Sequence, residues 1–390
     1  MRTLSKVALA VASFGAAVAT AAPASAAPMD PATDRLYTEP AGLPAGINCQ
    51  QIAANPNIVN VAHGFKSGAL PNSYPCMPNN AAWANMMSEL GYAIAPTAFH
   101  PARTTGLGGF ALSLEASYAH INSGNSVTNA DGTTTNYWQQ GTQGQTQPNG
   151  SYGTSNTSPD SVLQVYSLKA RKGLPFGFEI AGALGFVANT TLWVGGADVH
   201  WAVLEGYRTG FLGYLPDIAV GGGVRTMSGQ QSFYLTTVGI DAQVSKPIAL
   251  SDSSVITPYV GGQRLMIYAN SSIVDLTPSV DAFAQCGYQG TNVQGNPNAP
   301  GNTNGNYDGS PVCKNKLANG APNNSDFNNQ VTFQKQTFYR WRGIVGLTYR
   351  YELLYLAAQF ATDMEDPGAE NSIVTGSKQW TLSFETGVFF

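Results

Sequence analysis

The sequence predicts an all-β fold, one closed antiparallel barrel of about ten strands, on three observations. The first is the final stretch, residues 376–390, reading GSKQWTLSFETGVFF. Trp380, Leu382, Phe384, Thr386, Val388 and Phe390 share one face; Gln379, Thr381, Ser383, Glu385, Gly387 and Phe389 share the other. A period of two is the strand signature, because successive side chains leave opposite sides of the pleat. The second is composition. Only 11% of the 390 residues are charged and there are 43 Gly, yet mean hydropathy is −0.10. Soluble domains carry about 25% charge, so this chain cannot dress a surface for water, nor is it apolar throughout. Strands that alternate apolar with small polar residues satisfy both facts. The third is the amino terminus. Arg2 and Lys6 precede an apolar, small-residue run over residues 7–22 and then Ala24-Ser25-Ala26, the pattern of a cleaved secretory signal. Cleavage is expected after Ala26, with Ala27 the alternative, and no Cys at that point suggests lipoprotein processing. Beyond residue 26 no apolar run reaches the roughly 18 residues that a membrane helix needs. An exported chain with lipid-compatible strands and no spanning helix crosses a membrane as a closed barrel, since an open sheet edge leaves backbone groups unsatisfied in hydrocarbon.

The terminal strand, closing on Phe390, resembles the last strand of bacterial outer-membrane β-barrel proteins. The resemblance implies that Phe384, Gly387, Val388 and Phe390 carry the signal read by the outer-membrane assembly machinery. It also implies a place in the bacterial outer membrane, with lipid as partner and with the amino-terminal segment and the carboxy terminus on the periplasmic side. A shorter likeness lies at residues 101–109, PARTTGLGG. Through Ala102-Arg103 and Gly108-Gly109 it resembles the lead-in to the first strand of long-chain fatty-acid transporter-like barrels, which have more strands than are counted here. That likeness implies a lumen hatch and, as a variant, a hydrophobic ligand.

Taken in order, residues 27–106 form an amino-terminal segment without clean alternation, periplasmic or plugging the lumen. It holds one helical candidate, residues 81–90, with Asn80 as N-cap, Gly91 as terminator, and Trp83, Met86, Met87 and Leu90 on one face. Residues 107–390 form the barrel. Alternation predicts strands over residues 109–120, 161–171, 176–187, 191–203, 217–225, 233–245, 254–267, 336–350 and 353–362, with the terminal stretch as the tenth. Each sets an apolar row, such as Tyr339, Trp341, Val345, Leu347 and Tyr349, against a polar one, such as Arg340, Arg342, Thr348 and Arg350. Gly221-Gly222-Gly223 and Gly261-Gly262 sit mid-strand, where they allow bending and close packing rather than phosphate binding. Tyr118, Trp193, Trp201, Tyr339 and Trp380, near strand ends, fit interfacial girdles or ordinary packing.

A periplasmic carboxy terminus assigns the connections by parity. The turns near residues 351–352, 246–252, 206–216 and 172–175 fall on the periplasmic side. Residues 362–373, 269–332, 227–231, 189–190 and 122–160 fall outside, so both very long tracts land on the external side, as barrels of this kind require. A twelve-strand count, drawing a further hairpin from residues 57–98, is the alternative. The two long tracts are rich in Gly, Asn, Thr and Gln and are expected to form no core of their own. Of the four Cys, the local pairing Cys49 with Cys76 and Cys286 with Cys313 is preferred among three possible connectivities in an oxidising compartment.

The inward faces gather Glu115, Lys169, Arg171, Glu179, Asp198, His200, Arg225, Asp241, Arg340, Arg342, Arg350 and Glu385. Either they pair into a salt-bridge core that fills a narrow lumen, or part of the set lines a wet path and steers solutes. Arg340 and Arg342 share one inward face and would favour anions if solvated. Asp198 and His200, two apart and so roughly 7 Å from each other along the strand, could orient a general base. No G-x-S-x-G nucleophile or H-E-x-x-H metal motif accompanies them. No cofactor or metal is expected, and a net charge of −4 without a dense basic run gives no nucleic-acid partner. The reading is a channel or passive transporter for an unknown small solute, with the amino-terminal segment as its candidate gate. A closed-lumen structural or surface-interaction barrel acting through its external loops is the alternative, and a hydrolase using Asp198 and His200 comes last.

Overall fold

A computed structural model describes residues 27–38, 77–98, 101–129, 132–144, 155–206, 215–276, 286–288, 311–313 and 330–390. Its centre is one sheet of ten long antiparallel strands: β1 (Phe110–His120), β2 (Val162–Gly173), β3 (Phe178–Val187), β4 (Trp193–Leu204), β5 (Asp217–Ser228), β6 (Phe233–Ser245), β7 (Ser254–Ser271), β8 (Gln336–Tyr351), β9 (Leu354–Asp363) and β10 (Trp380–Phe389). Each pairs with its neighbour in sequence, and β10 returns to β1 from Thr381↔Ala119 to Phe389↔Ala111. The ten long strands leave no edge, a short strand at Ile248–Ser251 pairing only with the start of β7, so the barrel is closed with ten strands rather than twelve. The predicted strands differ from these mainly at their ends, because turn residues continue the ladder for a residue or more.

Alternation sorts the side chains, and the sorting is inverted relative to a soluble barrel. Leu168, Leu184, Val199, Ile240, Val260, Val345 and Leu356 stand exposed on the outer face. On the opposite face of the same wall Lys169, Arg225, Arg340 and Arg342 are buried within. Burying charge while exposing Leu and Val would be costly in water on both counts; in hydrocarbon it is the stable arrangement. Rings gather on the outer face near the strand ends: Trp193 lies 6.2 Å from Phe186, and Phe178 stacks on Trp201 at 5.5 Å. Inside, two tyrosines lie across glycines of the next strand. A Cβ on Gly346 would collide with the Tyr259 ring, and one on Gly387 would sit 2.6 Å from the Tyr355 ring. Gly387 is thus the space that Tyr355 fills, while Phe384 and Phe390 face outward and exposed, with Phe390 6.1 Å from Phe110.

The two ends of the barrel differ. Short connections and Phe390 mark one, the carboxy-terminal end; the other, the loop end, carries the connections after β1, β7 and β9. The tract after β1 does not lack a core. It forms a small hairpin, Ser126–Thr128 with Thr134–Asn136, and a helical turn whose Tyr137 and Trp138 are buried against the amino-terminal segment. Composition counted too few aliphatics for self-sufficiency, and the partner surface comes from elsewhere in the chain. Residues 27–38 also lie at the loop end, where Met29 N–H donates to Asn189 O at 3.0 Å. The expectation that the amino-terminal segment and the carboxy terminus share a side is therefore corrected for these residues. Residues 1–26, Cys49 and Cys76 lie outside the described residues, while Cys286 and Cys313 are backbone partners in a short antiparallel pair.

Arginine placed on the mid-height outer face, as Ile240→Arg or Val345→Arg, should cost about 2–4 kcal/mol when the chain refolds into lipid vesicles, read from the urea midpoint. An unchanged midpoint would mean that this face does not meet hydrocarbon.

Candidate functional site: the plugged lumen

The amino-terminal segment threads the barrel from end to end. At the loop end Tyr37–Thr38 pairs with Met77–Pro78, and Asn79 caps helix α1 (Asn80–Ala93) by accepting from Ala82 N–H at 3.0 Å. The cap is one residue earlier than predicted. The helix also runs past Gly91, which is a contact residue rather than a terminator: a Cβ there would collide with Ile267, and its carbonyl accepts from Thr237 Oγ1 at 2.9 Å. Every residue from Ala82 to Ala93 is buried, so the helix is enclosed on all sides rather than on the one face its apolar spacing marks. Trp83 stacks on Phe333 at 4.9 Å and meets Phe233 edge-on at 5.8 Å. Full burial of four side chains such as Trp83, Met86, Met87 and Leu90 stabilises by roughly 6–12 kcal/mol in total, which seats this half of the plug firmly.

Two polar side chains on α1, four residues apart and so on one side of the helix, hold the loop end shut. Asn85 Oδ1 accepts from the N–H groups of Thr375 and Gly376, both at 2.9 Å, in the β9–β10 loop. Glu89 is 1% exposed and takes four donors from the β1–β2 loop. These are Asn122 N–H at 2.8 Å, Asn122 Nδ2 at 3.0 Å, the Tyr137 hydroxyl at 2.6 Å and Trp138 Nε1 at 2.8 Å. Burial and the Glu89 charge push the Tyr137 phenol well above its ordinary range, so it stays a donor. Sequence reasoning missed both residues. An Asn and a Glu on a helix read as solvent-facing; the available signal was their i, i+4 spacing on a segment with few other charges.

Below α1 the chain descends in extended form, and its contacts turn polar. The Pro96 carbonyl accepts from Arg342 Nη2 and from Gln263 Nε2, the latter at 3.3 Å. Thr97 Oγ1 accepts from Lys169 Nζ at 2.6 Å, while Ala98 packs on Tyr259, Ile344 and Ala361. At the carboxy-terminal end Ala102 N–H donates to Ser245 at 2.9 Å, Arg103 pairs with Asp217 at 2.8 Å, Thr104 N–H donates to Glu205 at 3.0 Å and Thr105 N–H to Glu179 at 2.7 Å. Residues 101–109 therefore close the lower mouth before β1 begins.

The wall itself carries a ladder of ion pairs. Arg171 reaches Glu385 at 2.9 Å and the Tyr355 hydroxyl, Lys169 pairs with Glu115, Arg225 grips both oxygens of Asp198 at 2.8 and 2.7 Å, and Arg340 pairs with Asp363. Arg340 also lies over the Tyr92 ring at 4.3 Å. Removing one member of such a buried pair costs about 3–5 kcal/mol, because its partner is left charged and dry. Asp241 is half-buried and accepts from Gln243 at 2.9 Å, and Glu179 and His200 are buried on the inner face. With Asp198 committed to Arg225, the D-x-H spacing does not place a carboxylate to orient His200. Together with Asp241 and the bare backbone of Gly221–Gly223, His200 lines a small cavity against Pro96–Ala98. Arg350 departs from the sequence expectation: it is exposed at the carboxy-terminal rim, over the Phe389 ring at 4.7 Å, because β8 outruns the lumen there.

No family model matches this sequence, and no curated protein matches it. Among solved structures, the chain is similar to Ail, the attachment invasion locus protein of Yersinia pestis, in complex with the heparin analogue sucrose octasulfate, at 8% identity over 73% of this chain and 99% of that chain, TM-score 0.23. It is similar to Neisserial surface protein A at 11% identity over 72% and 97%, TM-score 0.22, and to the KdgM porin at 5% over 70% and 97%, TM-score 0.21. Superpositions this loose carry no argument about the present chain, whose architecture rests on its own closed sheet.

Glu89→Leu leaves four donors in a dry site and should destabilise the seated plug by on the order of 3–5 kcal/mol. Limited proteolysis of the refolded protein should then cut within residues 77–98 while the barrel strands stay intact. Protection equal to the parent chain would show that apolar contacts alone seat the helix.

Proposed function

We propose that this chain is a bacterial outer-membrane β-barrel that passes small solutes through a lumen shut by its own amino-terminal segment. The observation that carries the reading is the change in character along the plug. Its upper half is apolar and latched, whereas residues 94–98 and 101–106 hold the wall mainly by hydrogen bonds and an ion pair that water can replace. A segment held that way can shift without exposing apolar surface, and a charged wall behind it suits a hydrated path. The outer face meets outer-membrane lipid, the carboxy-terminal end faces the periplasm, and the long loops with residues 27–38 face outside. Phe384, Gly387, Val388 and Phe390 serve the assembly machinery. A cleaved signal at residues 1–26 delivers the chain, and Cys286 is bridged to Cys313, for which their direct opposition in the backbone ladder gives support.

A second reading, a surface-interaction barrel, is favoured by one observation. The β1–β2 and β9–β10 loops are built into the plug's core through Trp138 and Val374, which gives the loop end a preformed surface.

In planar bilayers the full mature chain should be mostly closed with brief openings, and a chain lacking residues 27–98 should conduct steadily. Silence in both would remove the channel reading and leave the surface reading standing. Peptide mass mapping without reductant should recover the Cys286 and Cys313 peptides joined; recovery of both as free thiols would refute the bridge.

A further inference from the structure

Among the described residues of the buried wall, the ion-pair ladder leaves one cation out. Arg340 spends its charge on Asp363, Arg225 on Asp198, Lys169 on Glu115 and Arg171 on Glu385. Among the described residues Arg342, 1% exposed at mid-height, has no carboxylate of its own: Asp363, opposite it across the β8–β9 pair, gives its oxygens to Arg340. It is held by Gln263 Oε1 at 2.5 Å, the Pro96 carbonyl and the Tyr92 ring at 5.6 Å, all neutral. A buried guanidinium whose direct contacts are all neutral is an unusual choice, since the interior penalises charge that lacks a paired countercharge. The Pro96 oxygen is moreover gripped twice, by Arg342 and by Gln263 Nε2, and the next residue's hydroxyl oxygen takes Lys169 Nζ. Three donors of the wall thus converge on two neighbouring oxygens of the plug. That is the donor pattern which recognises an oxyanion, with the planar fork of Arg as its most selective part.

We propose that Arg342, Gln263 and Lys169 form an oxyanion-binding site at the middle of the lumen, occupied in the closed barrel by the Pro96 carbonyl and the Thr97 hydroxyl. A solute bearing a phosphate or a carboxylate competes with the plug for this site. The inference rests on the reading above that small solutes enter the lumen, and it supplies that reading with a solute class. Competition favours the anion once it arrives, because an oxyanion brings Arg342 a full countercharge where the carbonyl brings only a dipole. The glycines of β5, with Asp198, His200 and Asp241, leave a small cavity beside Pro96–Ala98.

The test is hydrogen exchange of peptides spanning residues 92–98 in the refolded full mature chain, titrated with sodium phosphate or sodium acetate against sodium chloride at matched ionic strength. Phosphate and acetate should raise exchange saturably, by about fivefold or more, and chloride should not. Arg342→Gln should abolish the saturable response. Gln263→Glu, which keeps the arginine but gives it a built-in carboxylate, should abolish it too, and it carries the test if Arg342→Gln fails to assemble. A response that is absent in the parent chain, equal with chloride, or undiminished in the variants overturns the site. A conducting barrel with no oxyanion response would sink this inference alone, whereas an oxyanion response in a barrel silent with and without its plug would sink the channel reading alone.

Discussion

A backbone placed in hydrocarbon must satisfy its own hydrogen bonds, and here ten strands do so by closing β10 onto β1. Closure with an apolar exterior decides where every polar side chain goes. Alternation sends half of each strand inward, so Lys169, Arg171, Arg225, Arg340 and Arg342 are confined with Glu115, Asp198, Asp363 and Glu385 in one enclosed volume. An eight-stranded barrel is just wide enough for its own side chains to fill. Ten strands leave additional space, and residues 80–98 and 101–106 occupy it.

The plug is two materials in sequence. Near the loop end it behaves as a small globular core that happens to lie inside a barrel, with Trp83, Met86 and Leu90 meeting Phe233, Leu235, Ile267 and Phe338 from the wall and Trp138 and Val374 from the loops. Asn85 and Glu89 make that core specific, since each satisfies backbone or side-chain donors of one particular loop. Lower down the plug is an extended strip that offers oxygens and an arginine to a charged wall. Apolar seating resists displacement because it has no substitute in water; polar seating exchanges with water at little net cost. The mechanical difference between the two halves follows from that contrast.

Arg342 shows the same logic in a single residue. Its neighbour across one strand pair is Gln263, and across the other it is Asp363, whose oxygens are taken by Arg340 two positions away. Part of its compensation comes from the plug through the Pro96 carbonyl, so the polar contacts of the wall are complete only while that residue stays in place. Wall and plug are thereby coupled without any covalent link.

Much of the barrel was legible in the sequence because its physics is local. A period of two with an apolar and a polar row is visible in each strand separately, and the parity of ten strands put both long tracts at one end. The inward position of Glu115, Asp198 or Arg342 follows from the same count. What alternation does not carry is partnership. The D-x-H spacing of Asp198 and His200 suggested a pair, but β5 supplied Arg225 across the ladder and took both Asp198 oxygens. The poor composition of the β1–β2 tract suggested no core, but α1 supplied one, 44 residues before Tyr137 begins its turn if counted from Ala93. Asn85 and Glu89 look like surface residues of a helix until the barrel encloses it. The chain's own order therefore determined which side of the wall each residue occupies, a nearest-neighbour property. Only the tertiary structure decided which charges meet and which oxygen Arg342 holds, because those contacts join segments far apart in sequence and exist only after the sheet has closed around the plug.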